Sequence, residues 1–178
     1  MDACAQMQCD TQTKVMLRSY EAVVPLPVGS WQLGICTDGY AVTEIDFIDT
    51  QEFECVAPSS VANLAAQQLQ CYLDNPQWRF TIALKLNGTP YQQRVWSVLQ
   101  SLAPGETCSY GELARRLHSA ARAVGGACRS NPVAIMVPCH RVVAAHGLGG
   151  FSGATAGSEL LLKQWLLEHE SYNIQTEF

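Results

Sequence analysis

The chain has 178 residues and a mass of 19.5 kDa, 48% of it hydrophobic and 15% charged, with a net charge of −5. That is enough apolar material for one large domain or two small ones, and it excludes a disordered or collagen-like chain. No uncharged apolar run approaches the roughly 18 residues that span a bilayer. The start, Met1-Asp2-Ala3-Cys4, has neither a basic nor an apolar leader segment, so a cytoplasmic protein without membrane contact is expected.

The charge is uneven. Residues 1–90 carry −6, residues 91–150 carry +4 and residues 151–178 carry −3. The middle segment holds six arginines, Arg94, Arg115, Arg116, Arg122, Arg129 and Arg141. A phosphate backbone responds to the local field, so this segment fits a nucleic-acid partner, although solvated surface arginines give the same count. The eight cysteines include no C-x-x-C pair, and all four histidines (His118, His140, His146, His169) lie in the second half. A compact metal site therefore has no support, and neither metal nor cofactor is expected. Most of the thiols read as small buried hydrophobes.

Residues 1–19 read as a loose arm. Residues 20–28 and 31–48 are β-rich, broken at Gly29-Ser30 and Asp38-Gly39. Val61, Leu64, Ala65, Leu69 and Tyr72 recur at helical spacing and predict a helix over 58–73. Trp78, Phe80, Ile82, Leu84 and Leu86 alternate with polar or small residues and predict a half-buried strand. Asn87-Gly88-Thr89-Pro90 then marks a boundary between an α/β scaffold domain, 1–89, without visible chemistry, and a mainly α domain, 90–178.

Tyr91, Val95, Val98, Leu99 and Leu102 predict a helix that stops at Pro104-Gly105. Ser109 and Glu112 fit a capping box for a short helix carrying Leu113, Ala114 and Leu117. A second short helix, small-sided and basic, follows over 122–128, and the pair suggests a helix-turn-helix. Gly125 and Gly126 cost that helix about 1 kcal/mol each relative to alanine, so close backbone approach is expected there. Five glycines between His146 and Gly157 predict a mobile loop. Ser158 is placed to cap a last helix with Leu161, Leu162, Trp165 and Leu166 on its apolar face.

The chemistry centres on Cys139, which follows an apolar run and Pro138 and precedes His140 and Arg141. Cationic neighbours favour the nucleophilic thiolate, so Cys139 is a candidate low-pKa thiol, with an inert buried cysteine as the alternative. Adjacent side chains on extended backbone diverge, so Cys139 and His140 should not bond directly without a turn or a bridging water. His140 also needs an orienting carboxylate, for which Glu170 is a candidate.

These residues resemble a family. Pro138-Cys139-His140-Arg141-Val142-Val143, preceded by Asn131-Pro132 and Arg122-Ala123-Val124-Gly125-Gly126-Ala127, is similar to the O6-alkylguanine-DNA alkyltransferases. The resemblance extends through Tyr91–Trp96, Pro104–Thr107 and Ser109–Ala114 upstream, and Phe151–Gly153 and Lys163–Glu170 downstream. It implies a protein that flips an alkylated base out of double-stranded DNA and takes the alkyl group from guanine O6, or thymine O4, onto its own cysteine once. The base must leave the stack because a buried thiolate cannot reach O6 within the duplex.

By resemblance Cys139 is the acceptor, His140 a base acting through water, Glu170 its orienting carboxylate and Asn131 the residue holding the turn. Tyr110, Val142, Ser152, Phe151 and Pro138 fall at base-binding positions, with Phe151 where the family commonly has tyrosine. Arg122 resembles the finger that replaces the flipped nucleotide. Ala123, Gly125, Gly126, Ala127, Arg129 and Arg141 are expected at DNA, with the helix-turn-helix in the minor groove. The family also implies a ribonuclease-H-like N-terminal fold and a monomer in the absence of DNA. The turn between Tyr110 and Arg122 is about two residues shorter than the family pattern. A non-reactive lesion sensor would lack the acceptor cysteine, and a cysteine hydrolase using Cys139, His140 and Glu170 would turn over repeatedly.

Overall fold

The computed structural model describes residues 17–49 and 53–172; most of the expected arm over 1–19, with Cys4 and Cys9, lies outside them. The arm's last residues are instead ordered, as β1 (Arg18–Tyr20) pairs in parallel with β5 (Phe53–Cys55). β2 (Ala22–Pro25), β3 (Gln32–Thr37) and β4 (Val42–Ile48) form an antiparallel sheet with β3 in the middle. Gly34 lies at its centre, where a Cβ would fall 2.5 Å from both the Tyr20 ring and Ile48 Cδ1, so any larger residue would have to displace the buried Tyr20 ring.

α1 (Ser60–Asp74) packs on this sheet, started by Ser59, whose hydroxyl accepts the Ala62 N–H. Ala62, Ala65, Leu69 and Tyr72 are buried, whereas Leu64, expected inside, is 45% exposed. The predicted strand over 78–86 is not a laddered strand. Phe80, Ile82, Leu84 and Leu86 do turn inward and their neighbours outward, but Trp78, expected with them, is 39% exposed, and pairing is limited to a single bridge from Leu84 to Val42. Alternation fixes which side chains are sheltered; it does not supply a neighbouring edge with free N–H and C=O groups.

α2 (Pro90–Gln100) begins with a capping box, Thr89 with Gln92, and Pro90 at the first turn. Its Val95, Trp96 and Leu99 are buried, and Trp96 Nε1 donates to Ala127 O at 2.9 Å, tying α2 to α4 (Ala121–Arg129). α3 (Tyr110–Arg116) carries the expected Ser109–Glu112 box. The short strands β6 (Cys108–Ser109) and β7 (Val142–Val143) pair in parallel and bring the start of α3 beside the Cys139 segment. α5 (Ser158–Tyr172) closes the fold, with Leu162 and Leu166 inward and Leu161, against expectation, 64% exposed. The Ser158 hydroxyl donates to Glu159 Oε2 and does not cap the helix as expected.

Buried hydrophobic residues of both halves form one contiguous core. Ile45 of β4 donates to Pro132 O at 2.9 Å and accepts from the Ala134 N–H at 3.1 Å, so the sheet edge continues into the segment leading to Cys139. Among the described residues no helix is long and apolar enough to cross a membrane.

Candidate active site

Cys139 opens a single 3-10 turn, Cys139–Arg141, after a run in which Val133 to Pro138 are all buried. Within that run Ile135 has φ +67°, a left-handed conformation that a β-branched side chain rarely adopts. Asn131 ties the segment together: its Nδ2 donates to Val137 O at 2.7 Å and to Cys139 Sγ at 3.4 Å, and its Oδ1 accepts from the Val133 N–H.

Behind the thiol lies a buried charged cluster around Glu170. This carboxylate accepts five hydrogen bonds: His140 Nε2 at 2.8 Å, Arg141 Nε and Nη2 at 2.9 and 2.7 Å, Tyr72 Oη at 2.9 Å and Gly105 N at 3.2 Å. Burial works against its charge, but the bonds from His140 and Arg141 outweigh burial and hold its pKa far below the ordinary carboxylate range. An ionised carboxylate only accepts, so His140 Nε2 carries the proton and Nδ1 remains the basic lone pair. Burial also lowers the His140 pKa, against the pull of Glu170, which keeps the ring neutral.

The expectation of an ionised resting thiol is corrected here. Burial raises the Cys139 pKa, only partly offset by the Asn131 amide and the charge of Lys163. His140, adjacent in sequence, is neutral, and the Arg141 charge is paired with Glu170, so neither neighbour supplies the free cation that the tripeptide promised. Among the described residues no hydrogen bond joins the Cys139 thiol to the His140 ring, although the two lie in one 3-10 turn and not on extended backbone.

Lys163 escaped the sequence reading. It is fully buried, and its ammonium donates to Val142 O, Leu148 O and Gly150 O at 2.7, 2.6 and 3.0 Å, matching its three protons and pinning the glycine-rich loop. Burial pulls its pKa down to about 8. Its signal was present: Lys163, Leu166 and Glu170 recur at helical spacing beside Leu162.

A 210 Å³ cleft in front of Cys139 is lined by Tyr110, Gly125, Cys128, Phe151 and Ser152, with Arg129 at its rim. Tyr110 donates to Gly150 O at 3.1 Å, and burial raises its pKa to about 12, keeping the phenol neutral. Phe151 is buried against Phe47, with ring centroids 5.5 Å apart. Ser152 stands exposed with φ +50°. Pro138 and Val142 are buried; the Val142 N–H is bonded to Cys139 O and its carbonyl already accepts from Lys163. A larger groove of 580 Å³ runs between the 78–86 segment and the end of α2, but it reaches Pro138 and Arg141 and not the thiol.

α4 presents Arg122, Ala123 and Gly126 to solvent, with Gly125 half-buried. Two expected DNA contacts are overturned. Ala127 is turned into the core beneath α2, because the buried face of α4 is Val124, Ala127 and Cys128. Arg141 is 7% exposed and bound to Glu170 and Leu102 O, because a buried carboxylate needs a counter-charge.

Residues 90–172, which carry this cluster and α4, match the family described as 6-O-methylguanine DNA methyltransferase, DNA binding domain. The second half thus has the class of a DNA-binding alkyl-transfer domain. The likeness covers the first half as well. A methylated-DNA–protein-cysteine methyltransferase of Mycobacterium leprae (strain TN) is 40% identical over 161 residues, covering 84% of this chain and 91% of the relative. One of Shigella flexneri is 30% identical over 174 residues, covering 88% and 98%. The crystal structure of Mycobacterium tuberculosis O6-methylguanine methyltransferase superposes with a TM-score of 0.71 at 35% identity, covering 84% of this chain and 91% of that one. A structure of Mycobacterium tuberculosis OGT in complex with DNA gives the same values. The chain belongs to the methylated-DNA–protein-cysteine methyltransferases.

Proposed function

We propose that this protein repairs alkylated DNA by direct reversal, with Cys139 Sγ as the acceptor of the alkyl group from guanine O6 or thymine O4. The observation that carries the assignment is a thiol at the mouth of a cleft with a neutral imidazole and its buried carboxylate behind it. Because Cys139 rests protonated, its proton passes through a water to His140 Nδ1 as sulfur attacks the alkyl carbon. The S–C bond forms, the C–O6 bond breaks, and guanine leaves as its O6 anion to be reprotonated. Glu170 orients His140 and stabilises the imidazolium as it forms. The product is a thioether, which water does not cleave, so each molecule acts once. The presence of Cys139 in the cleft speaks against a lesion sensor, which would lack the acceptor cysteine, and the likeness to methylated-DNA–protein-cysteine methyltransferases speaks against a hydrolase.

In the base site Tyr110 would exchange its bond to Gly150 O for the flipped base. Phe151 would contribute an apolar wall, and Ser152 and the backbone of Cys139 and Val142 would read the base edge; Pro138, which lines the larger groove instead, would act only by placing Cys139. α3 and α4 serve as a helix-turn-helix on the minor groove, with Arg122 as the finger, Ala123, Gly125 and Gly126 against the backbone and Arg129 at the cleft rim. The two glycines support this. A Cβ at Gly126 would meet nothing within 4 Å and one at Gly125 only Tyr110 at 3.9 Å, so the chain's own packing does not demand glycine at either place. The space they leave suits a duplex wall.

The antiparallel sheet backed by α1 supports a ribonuclease-H-like reading of the first half, and residues 1–89 and 90–178 are read as its two domains. The protein is taken to be cytoplasmic, and monomeric without DNA. Incubation with duplex containing O6-methylguanine should add one methyl to Cys139 by intact mass and peptide mapping, and Cys139→Ser should gain none. An unmodified Cys139 in the presence of excess DNA would reject the assignment.

A further inference from the structure

We infer that Tyr72, on α1 of the N-terminal half, is a positioning residue of the alkyl-transfer reaction: its hydroxyl holds Glu170 Oε1 and sets how strongly that oxygen supports His140. The inference rests on the proposed roles of Cys139, His140 and Glu170. Tyr72 is 1% exposed and its Oη donates to Glu170 Oε1 at 2.9 Å, the same oxygen that accepts His140 Nε2 at 2.8 Å. A buried phenol needs a partner, but an ordinary backbone carbonyl would serve for that purpose. Here the partner is the one carboxylate that backs the base, 98 residues away in sequence.

α1 is fixed to α5 at the same place: His169 Nε2 pairs with Tyr72 O at 3.0 Å, and the two rings meet edge to face. The groups facing the His140–Glu170 pair are Arg141 from the same turn, Lys163 from α5, Tyr72 from α1 and Cys139 beside it. Of these, Tyr72 alone comes from the first half. Arg141 neutralises Glu170, so the phenol is left with a finer task. With its hydrogen aimed at Oε1, it drains negative charge from the oxygen that would otherwise stabilise an imidazolium, and so keeps His140 neutral and ready to accept a proton at lower pH. Burial, followed by the charge of Glu170, raises the Tyr72 pKa well above its ordinary value, so the phenol stays a donor throughout the working range.

The test is Tyr72→Phe, which removes one oxygen and keeps the ring. Single-turnover alkyl transfer from an O6-methylguanine duplex is followed from pH 5 to pH 9 in the full chain. The acid limb, where His140 becomes protonated, should move up by about half to one pH unit, the worth of one hydrogen bond. Below that limb the rate should fall roughly three- to tenfold, with the plateau little changed. Nuclear magnetic resonance titration of the His140 ring should show the same upward shift without any turnover. A uniform loss of rate with the limb and the ring titration unmoved would overturn the inference and leave Tyr72 as plain packing. His140→Gln separates the levels. If that variant keeps the wild-type acid limb, the underlying base assignment fails; if it loses the limb while Tyr72→Phe leaves it in place, only the role of Tyr72 fails.

Discussion

Glu170→Gln offers a sharp test of the buried cluster. The wild-type carboxylate accepts from His140, Arg141, Tyr72 and Gly105, and it is fully buried. Glutamine offers one oxygen, turns an amide donor toward other donors, and leaves the Arg141 guanidinium without a counter-charge. Removing one partner of a buried pair costs about 3–5 kcal/mol. At about 2–4 °C per kcal/mol for a chain of this size, the melting temperature at pH 7 should fall by roughly 6–20 °C. Acid adds a second handle. The native Glu170 pKa is depressed, so its contribution is complete above the unfolded value of about 4.3 and is lost as pH falls toward the native one. The gap between wild type and variant should therefore narrow by about 1.8 kcal/mol between pH 7 and pH 3, at 1.36 kcal/mol per pH unit below 4.3. Thermal and urea unfolding followed by circular dichroism at both pH values measures it. A loss under about 1 kcal/mol at pH 7, the size of an exposed pair, or a gap unchanged by acid would refute the reasoning.

Arg122→Ala should slow repair of duplex O6-methylguanine by about tenfold or more, since extrusion of a base costs a few kcal/mol, while reaction with free O6-benzylguanine stays near the wild-type rate. Equal losses on both substrates would remove the finger role. Lys163→Met should cost at least about 2 kcal/mol by leaving the carbonyls of Val142, Leu148 and Gly150 without their donor. Hydrogen exchange should show faster amide exchange across 147–153 than across α2; uniform acceleration would point to global destabilisation alone.

Local signals in the sequence were legible. Ser109 with Glu112 announced the start of α3, and of the predicted inward set, Phe80, Ile82, Leu84 and Leu86 are half-buried as expected while Trp78 is exposed. What failed depended on distant partners. The same alternation could not reveal that, among the described residues, only Val42 would bridge to that segment as a strand partner, nor could the Cys139-His140-Arg141 tripeptide reveal that Arg141 would be taken by a carboxylate 29 residues on. Glu170 was found because a histidine base calls for a carboxylate and the last helix offered one. Tyr72 was assigned to a core face, which is right, but nothing within α1 says where its hydroxyl ends. Ala127 was misread because recognition-helix resemblance gives a segment, while the face of each residue is set by packing against α2.

The left-handed Ile135 has a consequence for how this sequence can change. Its backbone conformation costs on the order of 1–3 kcal/mol, and glycine or asparagine would relax it. The side chain, however, is 2% exposed, and truncating such an isoleucine costs about 2–5 kcal/mol. At the middle of the two ranges, about 2 against about 3.5 kcal/mol, a single exchange toward an easier backbone runs uphill, and relief requires a second substitution that refills the vacated volume. The position is an epistatic trap: a lineage or a directed-evolution library that samples one replacement at a time will keep returning isoleucine or a similar branched residue, four positions before the cysteine.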